Sequence, residues 1–424
     1  MNEEFLHYIW KFKLFDQLNL KTLSGEAVEI VKAGTHNTDA GPDFFNAQLK
    51  IDSTLWAGNV EIHINSSDWE RHSHQNDKAY NNVVLHVVYN ADKPVYRTSG
   101  ELIPTIELKE RIEEKILNNY QKFKTSNDWI PCEKQVTAVP SLIINSTLDR
   151  LLLERLERKS ISITQSLELN NNNWEETFYQ HLARNFGFKT NAEPFELLAK
   201  SLPVLYLGKH KSSLLQIEAL LFGQAGLLDA HYKDKYLQTL QNEYVFLKHK
   251  LKLQPIDGHL WKFLRLRPLN FPTIRIAQFA NLVFHSSHLF SKLIETAEYK
   301  NLKTLLDVNV SEYWLTHYTF DKTSVSKKKH LGEEALNNII INTVVPFLFV
   351  YGKYKNEEKY VDRALLFLEK TPGESNATID KWKFLKLPVK TAHSTQALLQ
   401  LKNEHCNHKR CLNCSIGNYL LKNS

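Results

Sequence analysis

The chain has 424 residues, of which 42% are hydrophobic and 24% charged, and its formal net charge is +6. A single hydrophobic core rarely extends beyond about 250–300 residues, so we expect two or three domains that each bury a core. The longest apolar runs, such as residues 344–351, are too short to cross a bilayer, and the N-terminus lacks the pattern of a signal peptide. We therefore expect a cytoplasmic protein with no membrane partner.

The first 90 residues alternate between helical and strand patterns. Residues 3–18 have apolar side chains near helical spacing and predict an amphipathic helix. Three runs alternate apolar and polar side chains and predict strands: residues 27–33, 47–51 and 57–64. Residues 68–82 predict a second helix, and the apolar run 83–89 predicts a strand that is buried on both faces. The predicted order is helix, three strands, helix, strand.

The rest of the chain divides into a helical region and a basic tail. Amphipathic helical patterns run from residue 141 to about residue 368. We predict an α/β domain over residues 1–135, a helical domain over 141–370 and a basic, cysteine-rich segment over 380–424. From residue 381 onward there are eight lysine and arginine residues and one acidic residue, Glu404. This charge favours a polyanionic partner, and a solvated basic surface is the alternative.

Two carboxylates and a histidine lie where the predicted strands could bring them together. Asp43 belongs to the segment Gly41-Pro42-Asp43-Phe44, and Glu61-Ile62-His63 lies in the third predicted strand. Glu61 and His63 are two residues apart, so they share one face of that strand. Two carboxylates on neighbouring strands can bind Mg²⁺ or Mn²⁺ and leave positions for water and phosphate. The alternative is a turn aspartate beside an ordinary polar strand face.

Pro42-Asp43, the spacing to Glu61-Ile62-His63 and the predicted element order together resemble the PD-(D/E)xK nuclease superfamily over residues 1–90. This resemblance implies an α+β or α/β fold whose N-terminal mixed sheet is a restriction-endonuclease-like αβββαβ core. It implies that Asp43 and Glu61 are metal ligands and that Glu3 or Glu4 is an outer acidic ligand.

The resemblance also implies that His63 occupies the position of a lysine. A neutral imidazole can accept a proton, but it does not carry the positive charge of an ammonium group. The nuclease chemistry is therefore either altered or lost. In related nucleases the second helix approaches the DNA or the metal, and Gln75, Asp77 and Tyr80 are the residues here that could do so.

Histidines and aspartates crowd residues 63–86. On a helix, Asp68 and His72 lie one turn apart, as do His74 and Asp77, but His72 and His74 point to different sides. We therefore expect no compact zinc site that uses both histidines. We expect His86, in the buried strand, to be a core histidine. A zinc hydrolase that uses this histidine cluster is the second alternative function.

Three cysteines near the C-terminus have the spacing of metal ligands: Cys406-x4-Cys411-x2-Cys414. The fourth ligand could be Cys132, His405 or His408. Four thiolates suit Zn²⁺ or an iron–sulfur cluster, and buried structural cysteines are the alternative. The arrangement resembles that of RecB-like iron–sulfur nucleases, in which one cysteine lies far from a C-terminal group of three. It differs because that lone cysteine precedes the catalytic core, whereas Cys132 follows it.

The chain as a whole also resembles an uncharacterised bacterial family of about this length. The shared segments are Gly-Pro-Asp-Phe, Trp-x-Gly-x-Val-Glu-x-His, Ser-Asp-Trp-x-x-His and the terminal cysteines, at residues 41–44, 56–63, 67–72 and 406–414. This resemblance supplies no activity.

These patterns predict a metal-dependent, nuclease-like protein that hydrolyses DNA or RNA phosphodiesters. The predicted catalytic residues are Asp43, Glu61 and His63, with Mg²⁺ or Mn²⁺ on Asp43 and Glu61. The predicted zinc or iron–sulfur ligands are Cys132, Cys406, Cys411 and Cys414. The first alternative is a non-catalytic nucleic-acid-binding or assembly protein that retains the fold, and the sequence indicates no protein partner.

Overall fold

The computed structural model describes residues 1–286 and 288–423. The described chain forms two compact units, one containing Met1–Thr147 and the residues from Lys402 onward, the other containing Leu148–Leu401. The first unit contains a mixed sheet and the second is mainly helical. The coarse prediction of an α+β protein with a large helical region is confirmed. The predicted basic segment 380–424 contributes to both units, since the division falls between Leu401 and Lys402.

The sheet of the first unit contains the four predicted strands and two short additional strands, of two and three residues. They are β1 (Val28–Lys32), β2 (Thr35–His36), β3 (Phe44–Ile51), β4 (Thr54–Asn65), β5 (Val83–Asn90) and β6 (Thr105–Glu107). The spatial order is β1-β3-β4-β5-β6, and the two-residue strand β2 also pairs with β3. β3 is antiparallel to β1 and β4, whereas β4, β5 and β6 run parallel. Strand β5 is buried from Val83 to Val88, as its apolar run predicts.

Helix α1 (Glu3–Lys11) packs its apolar side against this unit. Asn2 caps the helix by accepting a hydrogen bond from the Phe5 backbone N–H at 3.2 Å. Trp10 is fully buried, and its ring nitrogen donates to the carbonyl of Ala33 at 2.9 Å. The predicted helix over residues 3–18 is therefore shorter than expected, because Lys13 adopts a left-handed backbone conformation with φ of 51°.

Two further helices of the N-terminal part are α2 (Asp68–Arg71) and α3 (Glu114–Thr125), and α4 (Ser141–Leu169) includes the boundary between the units. The first unit also contains the C-terminal helix Ser415–Asn423. The ring of Phe5 in α1 stacks on Tyr120 in α3, with centroids 4.3 Å apart. Helix α1 is thus fixed by aromatic packing as well as by its cap.

The second unit is built from helices around an aromatic core. Its helices after α4 are Trp174–Phe186, Phe188–Ser201, Val204–Lys209, Leu214–Gln224, Lys235–Leu251, Pro272–His285, Leu289–Glu295, Tyr299–Leu306, Glu312–Leu315, Glu333–Ile339, Val345–Lys355, Glu358–Lys370, Ala377–Phe384 and Ala392–Gln400. A small hairpin pairs strands β7 (His317–Thr319) and β8 (Lys322–Thr323). The buried rings of Phe178 and Phe347 meet edge to face at 5.1 Å, a favoured geometry for aromatic pairs.

One apolar helical stretch of this unit extends well beyond the apolar run at residues 344–351. A π-helical turn at Ile340–Val344 joins two helices into a continuous 23-residue stretch, Glu333–Lys355, that is long and apolar enough to cross a membrane. However, 78% of its apolar window is buried inside the protein. Such burial is compatible with the core helix of a soluble protein, and the cytoplasmic location remains a prediction.

Glu218 is a buried carboxyl group in the helical unit, with 1% of its surface exposed. It accepts hydrogen bonds from the hydroxyl groups of Tyr236 and Ser311. Burial raises the pKa of Glu218 from its ordinary value of 4.5 to about 7, although the two hydroxyl groups act in the opposite direction. The folded unit therefore retains this proton at a pH where the unfolded chain has lost it.

We predict that this group makes the protein less stable as the pH rises from 4.5 to 7, because ionisation then favours the unfolded chain. The loss is about 3 kcal/mol on the order-of-magnitude scale of 1.4 kcal/mol per pKa unit. Glu218→Gln should remove this part of the pH dependence and be more stable than the wild type at pH 8. Urea unfolding at pH 5 and pH 8 measures the free energy of unfolding of each protein. The matched control is Glu312→Gln at an exposed residue, and equal pH profiles for all three proteins would contradict the prediction.

Candidate functional site

The structure brings Asp43 and Glu61 together at the adjacent ends of β3 and β4. Asp43 directly precedes β3, and the register pairs Phe44 with Val60. The Asp43 backbone N–H donates to Oε2 of Glu61 at 3.1 Å, and the Ile62 backbone N–H donates to Oδ2 of Asp43 at 2.9 Å. Each carboxylate thus uses one oxygen to bind the backbone of the opposite strand. The second oxygen of each is left for another partner.

The second oxygen of Glu61 faces two histidines. Oε1 of Glu61 lies 3.2 Å from Nε2 of His74 and 3.6 Å from Nε2 of His63. Glu61 is only 4% exposed. Burial raises the pKa of the Glu61 carboxyl group and the charge of Asp43 raises it further, while His74 lowers it. A buried carboxylate of this kind requires compensation by a proton or a cation.

His63 lies in the interior, as its position on the same face as Glu61 predicts, and both of its ring nitrogens meet other histidines. Nδ1 of His63 is 2.8 Å from Nε2 of His86, and Nε2 of His63 is 3.2 Å from Nδ1 of His72. Burial lowers the pKa of His63 to about 2, and the neighbouring imidazoles contribute in the same direction. Burial likewise lowers the pKa of His86 to about 3. Both rings are therefore neutral near pH 7 and do not supply the charge of a lysine.

His72 and His74 approach the same point, contrary to the expectation that they face different sides of a helix. Helix α2 ends at Arg71, and Ser73 adopts a left-handed conformation with φ of 63° before a short 3₁₀ turn begins at His74. The left-handed residue reverses the local direction of the chain between the two histidines. Candidate ligand atoms of His63, His72 and His74 consequently lie within 4.8 Å of one another.

Aromatic side chains hold the histidine cluster in place. His74 stacks on Tyr80 with ring centroids 3.8 Å apart. The buried ring of Trp69 contacts His74 edge to face and His86 in a tilted arrangement. Trp69 belongs to a small hydrophobic core with Val83, Val95 and Ile103. Tyr80 therefore does approach the predicted site, whereas Asp77 accepts a hydrogen bond from the backbone of Ala79.

A further residue of the site, His7 of helix α1, is not among the residues predicted from the sequence. Nε2 of His7 lies 3.2 Å from Oδ2 of Asp43. Burial alone would lower the pKa of His7, but the charges of Asp43 and Glu3 outweigh burial and raise the pKa. Glu3 thus influences the site through His7, and Glu4 instead acts on the pKa of Tyr120. The four-residue spacing of Glu3 and His7 on one helix was the available signal.

The structure places Cys132 beside the C-terminal cysteines. Within the described residues, none of the four cysteines belongs to a disulfide. Burial, followed by the charges of Cys414 and Cys411, raises the pKa of Cys132, and the charges of the other three raise that of buried Cys406. Burial and Cys414 raise the pKa of Cys411 to about 12. This mutual repulsion indicates that the four thiol groups lie in the same neighbourhood of the first unit.

Short helical turns present these cysteines. Cys406 ends a π-helical segment, Leu401–Cys406, and Cys411 begins a 3₁₀ turn just before the C-terminal helix. The ammonium group of Lys402 donates to the carbonyl of Trp129 at 2.8 Å, three residues before Cys132. Four thiol groups grouped in this way fit a tetrahedral zinc ion or an iron–sulfur cluster in their donor chemistry, since metal binding would deprotonate them.

Comparison with known proteins gives a family but no activity. No curated protein matches the chain, and no solved structure matches it. The model of a family described as protein of unknown function (DUF2851) matches residues 3–377, a range that includes the sheet, the histidine cluster and Cys132. This confirms the predicted resemblance to an uncharacterised family. The chain belongs to the DUF2851 family.

Proposed function

We propose that this protein is a metal-dependent hydrolase of nucleic-acid phosphodiesters. The observation that carries the proposal is the pairing of Asp43 with Glu61 at the ends of two adjacent strands, with His63 next on the same face as Glu61. Three antiparallel strands, β1, β3 and β4, are followed by β5 parallel to β4. This order supports a restriction-endonuclease-like core for the first unit, as the PD-(D/E)xK resemblance implies.

The side chains have distinct roles in this proposal. Asp43 and Glu61 would hold Mg²⁺ or Mn²⁺ through the oxygens that the backbone does not use. When bound, the ion would activate water and neutralise charge on the phosphate. His63 is a neutral imidazole whose Nε2 lies 3.6 Å from Oε1 of Glu61. It can accept a proton from water, and the adjacent carboxylate would stabilise the resulting imidazolium.

One observation favours the alternative of a non-catalytic nucleic-acid-binding protein. His63 is 1% exposed, and both of its nitrogens lie within hydrogen-bonding distance of other histidines. If these contacts persist, the imidazole has no free nitrogen for a substrate or water. This alternative predicts binding that weakens steeply with salt and no cleavage.

We predict that the purified full-length protein cleaves single- or double-stranded DNA or RNA when Mg²⁺ or Mn²⁺ is added. Asp43→Asn and Glu61→Gln should each reduce the cleavage rate at least about a hundredfold, the usual scale for loss of a group that acts directly in catalysis. Gel-based cleavage of labelled oligonucleotides measures the rate.

The substitutions are chosen to keep the fold. Asparagine and glutamine retain an oxygen that can accept the Ile62 or Asp43 N–H, whereas alanine would leave a donor unpaired at a cost of about 1–3 kcal/mol. Glu29→Gln is the matched control, because Glu29 is an exposed carboxylate of β1 with no role in the proposed site. Cleavage that neither site substitution reduces would refute the assignment, and salt-sensitive binding without cleavage would favour the non-catalytic alternative.

We also propose that Cys132, Cys406, Cys411 and Cys414 hold a structural zinc ion or iron–sulfur cluster. The support is the partial or full burial of all four side chains and the mutual elevation of the thiol pKa values described above. A bound metal would attach the C-terminal helix to the N-terminal part of the same unit, in addition to the Lys402–Trp129 hydrogen bond.

We predict that Cys132→Ser loses this metal, because three thiolates cannot complete the site. Elemental analysis and sulfide determination after anaerobic purification should show a loss of about one zinc ion, or of the iron and sulfide, per chain. The thermal midpoint should fall by roughly 5 °C or more, since metal binding contributes to folding. Lys134→Ser, at an exposed residue of the same turn, should change neither quantity. Unchanged metal content in Cys132→Ser would exclude Cys132 as a ligand.

A further inference from the structure

We propose that His63, His72 and His74, together with Glu61, form a binding site for a tetrahedral transition-metal ion of the Zn²⁺ class. The three imidazoles are the essential ligands, and Oε1 of Glu61 is the fourth donor. This site shares Oε1 of Glu61 and Nε2 of His63 with the proposed hydrolase, so a bound Zn²⁺ would take the place of Mg²⁺ at Glu61, and His63 would then be a ligand instead of a proton acceptor. The role of the site in hydrolysis rests on the proposed function. The binding of an ion by these four side chains does not depend on the proposed function.

The distances between the donor atoms fit one small ion. Nε2 of His63 is 3.2 Å from Nδ1 of His72 and 3.6 Å from Oε1 of Glu61, and that oxygen is 3.2 Å from Nε2 of His74. A tetrahedral zinc ion with ligand bonds of about 2.0–2.1 Å separates its ligands by about 3.3 Å. These three of the six edges lie on both sides of this value, and the ligand atoms of the three histidines all lie within 4.8 Å of one another.

Hydrogen bonds account for only part of the arrangement. Nε2 of His63 and Nδ1 of His72 are within hydrogen-bonding distance at 3.2 Å, but the distance of 3.6 Å between His63 and Glu61 is too long for a hydrogen bond. Nε2 of His74 lies 3.2 Å from Oε1 of Glu61, and its interaction lowers the pKa of that carboxyl group. A single ion bound among these atoms would satisfy all four donors.

The surroundings have the features of a supporting shell. Nδ1 of His63 can donate to Nε2 of His86 at 2.8 Å, which leaves the lone pair of Nε2 of His63 directed at the other ligands. Metal-binding histidines usually make such a bond through the second nitrogen, and it fixes their orientation. Tyr80 and Trp69 pack on the ring of His74 and restrict its rotation.

The donor set discriminates between classes of metal. Mg²⁺ requires oxygen ligands in an octahedron, and three imidazoles suit Zn²⁺ and its neighbours instead. Four protein ligands complete a tetrahedron, but the carboxylate is the most easily displaced of them. Release of Glu61 would open one position, as in catalytic zinc sites, which have three protein ligands.

Zinc and cobalt titrations of the chelator-treated full-length protein test the site. The wild type should bind one Zn²⁺ more per chain than His72→Ala, or bind it at least about tenfold more tightly, whereas Mg²⁺ should not compete. His72 is exposed, so its loss should leave the fold intact, which circular dichroism can verify. His249→Ala, at another exposed histidine, in the helix Lys235–Leu251, is the matched control and should behave as the wild type.

Cobalt separates this site from the cysteines. Co²⁺ bound by thiolates gives sulfur-to-metal charge-transfer absorption, whereas Co²⁺ on imidazoles gives visible bands without it. His72→Ala should remove only the second signal. If His72→Ala binds Zn²⁺ and Co²⁺ as the wild type does, or if Mg²⁺ displaces Zn²⁺, the site is refuted.

The two proposals can fail separately. A histidine-dependent zinc site in a protein that cleaves no nucleic acid would refute the nuclease alone. Magnesium-dependent cleavage that depends on Asp43, in a protein whose His72→Ala variant binds Zn²⁺ and Co²⁺ as the wild type does, would refute the zinc site alone.

Discussion

The reciprocal hydrogen bonding of Asp43 and Glu61 is the constraint on which the N-terminal site depends. Each carboxylate accepts a backbone N–H from the neighbourhood of the other, so the ends of β3 and β4 and the two acidic side chains are fixed together. Hydrogen bonds to charged acceptors are stronger than neutral ones. Because one oxygen of each group is committed in this way, the direction of the other is determined. The oxygen of Glu61 that remains points at the histidines and not at solvent.

This orientation creates an electrostatic requirement. A nearly buried carboxylate beside neutral imidazoles lacks the permanent positive partner that usually accompanies buried charge. His7 is the nearest candidate for a charged imidazole, but it lies on the Asp43 side. A proton or a bound cation on the histidine side would compensate Glu61, and the neutral imidazoles could donate their lone pairs to that cation. The site is therefore better suited to binding a positive ion than to leaving the Glu61 carboxylate without a positive partner.

The sequence predicted the parts of this site that depend on strand periodicity. Alternation identified β1, β3 and β4, and the two-residue spacing of Glu61 and His63 gave their shared face. The prediction from periodicity was wrong for His72 and His74. Helix α2 ends at Arg71 and Ser73 is left-handed because of tertiary packing around Trp69, which no local sequence pattern reveals. His7 was missed for a related reason. Its proximity to Asp43 depends on how α1 packs against the unit. The proximity of Cys132 to the triplet was one of several pairings that spacing allowed.

The histidine at position 63 acquires a different meaning in this setting. A lysine at this position would bring an ammonium group close to Glu61. The space around it, however, is occupied by the rings of His86 and His72, which offer only neutral nitrogen atoms. The surrounding residues are matched to an imidazole, which accepts or donates on both sides of its ring. In the proposed site, the positive charge that lysine would supply resides on the ion, and His63 contributes a ligand to it. The replacement then transfers the charge from a side chain to a metal and need not abolish the chemistry. Histidine at this position is consequently explained by its neighbours in space, which the linear motif does not contain.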